Sequence, residues 1–139
     1  MAKKGTITYE KKKAWDWFSK YIRLRDAIQT TKTKTHAKCC TCGKIYPAFG
    51  RGCLQAGHYI SGRRNAYLFD EKGCHAQCYN CNINLKGNTI KYRKFLVAKF
   101  GEKEVEKLEN LQDVSLQLKA FELKEIAETY KKKYLDLLA

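Results

Sequence analysis

Two Cys-x-x-Cys pairs, Cys39/Cys42 and Cys78/Cys81, constrain this chain more than any other feature. Together they supply four thiolates, enough to close a tetrahedral Zn²⁺ site and to fix whatever the chain places around it. His58 lies on the excursion between the pairs and Asn82 directly follows the last cysteine, so both are polar groups beside a metal-fixed scaffold. The other three cysteines, Cys40, Cys53 and Cys74, need no role in that site. Seven cysteines would also suit a disulfide framework, but no apolar leader follows Met1. The expectation is therefore a reduced, cytoplasmic setting in which thiolates hold metal.

At 139 residues the expectation is one domain, whose core a Zn²⁺ staple would help to hold. No apolar run approaches the roughly 18 residues of a membrane span, so no membrane is expected as a partner. Net charge is +14 and unevenly spread. Residues 1–38 carry 11 basic and 3 acidic side chains, residues 39–100 carry 10 and 2, and residues 101–139 carry 7 and 9. A polyanion should meet the first two segments, with counterion release driving the binding.

Residues 14–28 (AWDWFSKYIRLRDAI) read as a helix, with Trp17, Tyr21, Leu24 and Ile28 on one stripe and Trp15, Phe18 and Ile22 beside it. Tryptophans on such a stripe belong to a core more often than to a base-stacking surface. The polar run 29–38 links this helix to the first knuckle, making residues 14–38 the N-terminal helix and linker. CLQAGHYI has the composition of a short strand carrying His58 near its end, and SGRRN (61–65) that of a turn. Residues 88–100 have helical spacing, with Gly101 as the C-terminal cap, and close a core segment spanning 39–100. The 101–139 extension should hold a short helix over 102–110 and a longer one over about 116–138. On the latter, Ala120, Leu123, Ala127, Tyr130, Tyr134 and Leu137 form an apolar stripe. That stripe should pack on the N-terminal helix of the same chain, with a homodimer through the C-terminal helix left open.

Four thiolates saturate Zn²⁺, so that metal is structural and the attacking group of any reaction must lie elsewhere. A neutral imidazole at His58 can take a proton from water at neutral pH. A divalent cation nearby would stabilise charge developing on a phosphate. Asn82 offers a hard carbonyl oxygen suited to Mg²⁺ or Mn²⁺.

The order C-x-x-C, A-G-H-Y, C-x-x-C-N resembles the treble-clef ββα-metal (His-Me, or HNH) nucleases. More closely, Leu54-Gln55-Ala56-Gly57-His58-Tyr59, Phe69-Asp70-Glu71, His75-Ala76-Gln77-Cys78-Tyr79-Asn80-Cys81-Asn82, Gly87-Asn88 and Tyr92-Arg93 are similar to the lambdoid-phage NinG/Rap recombination nucleases. The resemblance runs from about Trp15 to Leu108. It implies an α+β fold, a mostly helical small domain around a zinc-stapled treble-clef ββα-metal core with flanking N- and C-terminal helices. It also implies a phage- or prophage-encoded, divalent-metal-dependent endonuclease acting on branched DNA such as Holliday junctions and D-loops. By that match His58 is the general base, Asn82 a Mg²⁺ ligand, and Cys39, Cys42, Cys78 and Cys81 the zinc ligands.

Two positions depart from the pattern. Gly57 stands where many HNH enzymes place a metal-binding Asp, so Gln55, Glu71 and His75 become the candidates for the second metal ligand, with Asp70 and Asn88 behind them. Glu71 could equally pair with Arg63 or Arg64. Gly73 stands where the base-orienting Asn is expected, and His75 is a candidate for that task. Arg63 and Arg64 on one side, and Lys86, Asn88, Lys91 and Arg93 on the other, are the candidate DNA contacts. Arg93 is the strongest phosphate clamp, because its guanidinium grips phosphate bidentately. Two alternatives stand beside this expectation: a zinc-stabilised DNA-binding recombination accessory protein without cleavage, and a sequence-directed HNH nuclease.

Overall fold

The first helix starts well before its apolar stripe does. In the computed structural model, which describes residues 2–139, Thr6 caps it by accepting from the Tyr9 backbone N–H at 3.2 Å. The helix α1 then runs over Ile7–Thr31, seven residues earlier and three later than the apolar spacing predicts. Its lysine-rich first turns carry no hydrophobic period, so the cap decides the start. The linker is correspondingly shorter. Phe18, Ile22, Leu24 and Ala27 are fully buried, whereas Trp17, Tyr21 and Ile28 are only partly so. The core stripe is thus centred on Phe18 and Ile22, because α1 is covered on one side by a hairpin and on the other by the C-terminal helix.

Two short antiparallel hairpins follow. β1 (His36–Lys38) pairs with β2 (Ile45–Pro47), and the first cysteine knuckle forms the turn between them. β3 (Gln55–His58) pairs with β4 (Cys74–Gln77) in the register Gln55↔Gln77, Gly57↔His75, His58↔Cys74. The excursion between β3 and β4 holds a one-turn helix α2 (Asn65–Leu68). After β4 the chain makes a π-turn over Asn80–Asn84, then three residues of left-handed backbone, Lys86, Gly87 and Asn88 (φ 51°, 92° and 47°). Helices α3 (Thr89–Phe100) and α4 (Glu102–Asn110) come next, followed by α5 (Ala120–Leu138). The α+β class, helical with two small sheets, is the expected one.

Helix α5 starts four residues later than expected, where the Glu122 carboxylate accepts from the Lys119 backbone N–H at 3.0 Å. Its buried residues, Leu123, Ala127 and Tyr130, are spent on α1 within the chain, and Tyr130 meets Phe18 edge-on at 4.8 Å. Glu71 ties this layer down, since Tyr21, Tyr130 and Lys133 donate to its carboxylate at 3.1, 3.0 and 2.7 Å.

A buried ion pair joins α1 to β4. Asp26 accepts from Arg25 at 2.8 Å and from the Ala76 backbone at 2.7 Å, while Arg25 donates to the carbonyls of Glu71 and Cys74, each at 2.8 Å. Each of these charges is hydrogen-bonded, so its desolvation is offset. Among the described residues no helix is long and apolar enough to cross a membrane.

Candidate active site

The four knuckle sulfurs converge as their spacing predicts. Cys39, Cys42, Cys78 and Cys81 bring their Sγ atoms within 4.8 Å of one another, with Cys42 and Cys78 at 3.8 Å. Zn–S bonds of about 2.3 Å in a tetrahedron put sulfurs about 3.8 Å apart, so the set fits a structural zinc. Backbone and amide N–H groups point at the sulfurs: Cys78 N to Cys39 at 3.3 Å, Cys81 N to Cys78 at 3.4 Å, and Asn88 Nδ2 to Cys81 at 3.6 Å. Burial alone would raise the Cys39 thiol. The Thr41 hydroxyl and the backbone N–H groups of Cys42 and Cys78 instead bring it down to about 6, which favours the thiolate that a metal needs.

The second cysteine pair positions β4, and β4 positions β3. His58, at the end of β3, is half-buried. Its ring stacks on Trp15 at 5.1 Å, and its Nε2 lies 2.9 Å from the carbonyl oxygen of Leu68 at the end of α2. A carbonyl can only accept, so Nε2 carries the proton and Nδ1 presents a lone pair. Burial, with the Arg63 charge adding to it, holds His58 below the ordinary histidine value despite the pull of that carbonyl. At neutral pH the ring is uncharged and able to accept a proton. The orienting group is therefore the Leu68 backbone, and the role considered for His75 falls away.

Asn82, on the π-turn, meets β3 on its other face. Its Nδ2 donates to Gln55 Oε1 at 2.7 Å, which turns its Oδ1 toward Gly57. A Cβ at Gly57 would come within 2.2 Å of Gln77 Oε1 and 3.1 Å of Asn82 Oδ1. A side chain at this position would have to displace Gln77, so Gly57 suits the packing of this chain. Gln77 is fully buried, and its Nε2 donates to Thr41 Oγ1 at 3.2 Å and to the Gly87 carbonyl at 2.8 Å. Its Oε1 has no partner and faces the same space above Gly57. Amide oxygens of Asn82, Gln77 and Gln55 thus collect beside β3 and constitute the hard, neutral donors a divalent cation would find. Among the described residues no second cluster of three or more His, Cys, Asp or Glu ligands forms.

The remaining candidates divide sharply. Glu71 is bound to Tyr21, Tyr130 and Lys133 beneath α5, and among the described residues its carboxylate makes no ion pair with Arg63 or Arg64 and no hydrogen bond with Asn82. His75 is buried. Lys99 Nζ lies 3.3 Å from its Nε2, and Tyr92 Oη lies 3.5 Å from its Nδ1 and donates to the Gly57 carbonyl at 2.7 Å. Burial holds it well below the ordinary value, with the Arg25 and Lys99 charges adding to that, and it packs between β4 and α3. Asn88 is a partner of Cys81. Arg93 is paired with Glu102 at 2.6 Å and Glu109 at 2.9 Å, holding α3 against α4, so its guanidinium is occupied. Arg63 lies over the Trp15 ring at 4.3 Å, and Arg64 donates to the Gln112 carbonyl at 3.2 Å. Lys86 and Lys91 are exposed. Asp70 accepts from the backbone N–H groups of Lys72 and Gly73, closing a turn.

Three participants left little mark in the sequence. Leu68 acts through its backbone, Trp15 reads as an ordinary core position, and Gln77 is signalled only by its place beside Cys78.

A family model described as "Bacteriophage Lambda NinG protein" matches residues 2–138. The chain is 31% identical over 104 residues to "Protein ninG" of Escherichia phage 933W, covering 74% of this chain and 46% of that one. It is 30% identical over 104 residues to "Protein ninG" of Escherichia phage lambda, covering 74% and 45%, and 38% identical over 56 residues to that of Enterobacteria phage H19B, covering 40% and 28%. The chain thus spans less than half the length of these curated relatives. No solved structure is significantly similar. With the model covering nearly the whole chain, this protein is a member of the NinG family.

Proposed function

We propose that this protein is a divalent-metal-dependent endonuclease acting on branched DNA intermediates of phage recombination in the host cytoplasm. One observation carries the reading: a neutral imidazole, fixed in a single tautomer by Leu68, stands on the same short strand as the Gln55–Asn82 carboxamide pair. Among the described residues β3 pairs only with β4, so its outer edge has no partner strand there. A phosphodiester laid along that edge meets His58 from one side and Asn82 from the other. His58 Nδ1 takes a proton from water as the oxygen attacks phosphorus, the opposite P–O ester bond breaks and its leaving oxygen takes a proton from solvent, while Leu68 holds the ring through the transfer. Asn82 and Gln55 would hold a Mg²⁺ or Mn²⁺ ion, which would supply Lewis-acid stabilisation of the charge developing on phosphate. Both ligands are neutral, so the ion would rely on substrate phosphate and water for its other positions, the usual habit of Mg²⁺. Lys86 and Lys91 beside Asn82, with Arg63 and Arg64 after His58, provide the phosphate contacts.

The carboxylate-free donor set favours one second reading, a zinc-stabilised DNA-binding accessory protein that does not cut. Incubating zinc-loaded protein with a four-way junction and a linear duplex of the same sequence, with Mg²⁺, Mn²⁺ or chelator, separates the two. Metal-dependent nicking of the junction in preference to the duplex supports the endonuclease. Tight junction binding without nicking in either metal supports the accessory protein.

A further inference from the structure

The segment around Asn82 exposes large apolar side chains where a nucleic acid would have to pass. Ile83, directly after Asn82, is 48% exposed, Leu85 is 51%, and Tyr79 is 57%. They are held rigidly. Leu85 N donates to the Asn80 carbonyl at 2.8 Å, Lys86 N to Ile83 at 3.1 Å, and Gly87 N to the carbonyl of the zinc ligand Cys81 at 2.9 Å. Left-handed backbone at Lys86 and Asn88, unusual for residues with a side chain, closes the turn. A turn closed against the cysteine cluster that leaves three large apolar side chains exposed is a candidate contact surface.

We propose that Tyr79, Ile83 and Leu85 form a wedge that enters opened base steps at a DNA branch point, with unstacked bases as its occupant. The inference rests on the reading of this site as DNA-facing and does not require cleavage. A strand whose phosphate reaches Asn82 runs past Ile83. The outer wall of a paired duplex offers phosphate and sugar there, whereas an opened step offers apolar base faces. Charge favours a polyanion over a second copy as the occupant, since the segment 39–100 that holds the turn carries 10 basic and 2 acidic side chains. Lys86, within the wedge turn, supplies the adjoining phosphate contact.

The test uses full-length, zinc-loaded His58→Ala protein, so that substrate stays intact, and four-way junctions carrying 2-aminopurine either at the branch or within an arm. Binding should raise emission from the branch probe and leave the arm probe unchanged. Adding Ile83→Ser and Leu85→Ser, both exposed and therefore compatible with folding, should abolish the rise and lower junction affinity about tenfold. Zinc stoichiometry and duplex affinity should be retained. Unchanged branch emission and an unchanged junction-to-duplex affinity ratio in the variant overturn the wedge while leaving the endonuclease reading intact. A parent dimer that the same substitutions convert to monomer, with branch emission unaltered, overturns it in favour of a copy-to-copy interface. Failure of the parent to bind any DNA removes both readings.

Discussion

His58 Nε2 and the carbonyl oxygen of Leu68, ten residues downstream, lie 2.9 Å apart. This pairing settles which imidazole nitrogen is basic, and it is made by the short helix α2, an element with no catalytic signature of its own. Because burial lowers the His58 pKa, the neutral form persists to a pH below the ordinary value of about 6.5. Activity should therefore be flat through neutral pH and fall only on the acid side of 6.5, as the ring protonates. A kcat/KM profile for junction nicking checks this. An acid limb centred above 6.5 contradicts the buried, Leu68-bound imidazole.

Gly57→Ala tests the packing of the carboxamide cluster. The new Cβ collides with Gln77 Oε1 at 2.2 Å and crowds Asn82 Oδ1 at 3.1 Å. Thermal unfolding should show a loss of about 1–3 kcal/mol. Nicking should fall further than stability explains, because Asn82 is displaced. Shortening Gln77 to Ser in the same protein should recover part of the stability.

Glu71 is assigned to structure. Glu71→Ala removes the acceptor shared by Tyr21, Tyr130 and Lys133, and should cost about 1 kcal/mol in unfolding free energy by loosening α5 from α1. The Mg²⁺ concentration for half-maximal nicking should be unchanged. A clear rise in that concentration would make Glu71 a metal ligand after all.

Metal analysis should return one zinc per chain. Chelation should release thiols and unfold the β3–β4 hairpin together with the π-turn, since metal binding and folding are coupled at such sites. Cys78→Ser should reproduce that loss, whereas Cys53→Ser, outside the cluster, should not.

The sequence made the scaffold legible because cysteine spacing and helical periodicity are local signals. The knuckles, the strand carrying His58, and helices α3, α4 and α5 all lie close to where those signals put them. What the sequence could not show was which polar group meets which. Arg93 resembles a phosphate clamp until Glu102 and Glu109, on a helix folded back against α3, are seen to hold it. Glu71 and His75 look like ligands for the same reason, and partners far along the chain claim both. The orienting group for His58 is a backbone carbonyl, which no residue type announces. Helix α1 began early because a single threonine cap outweighed seven residues without hydrophobic period.

The most direct measurement is single-turnover nicking of one four-way junction, in Mg²⁺, by zinc-loaded wild type, His58→Ala and Asn82→Ala. The account predicts that each substitution slows nicking by at least about 10²-fold while junction affinity stays within a few-fold of wild type. Wild-type rates in the His58→Ala protein would contradict it.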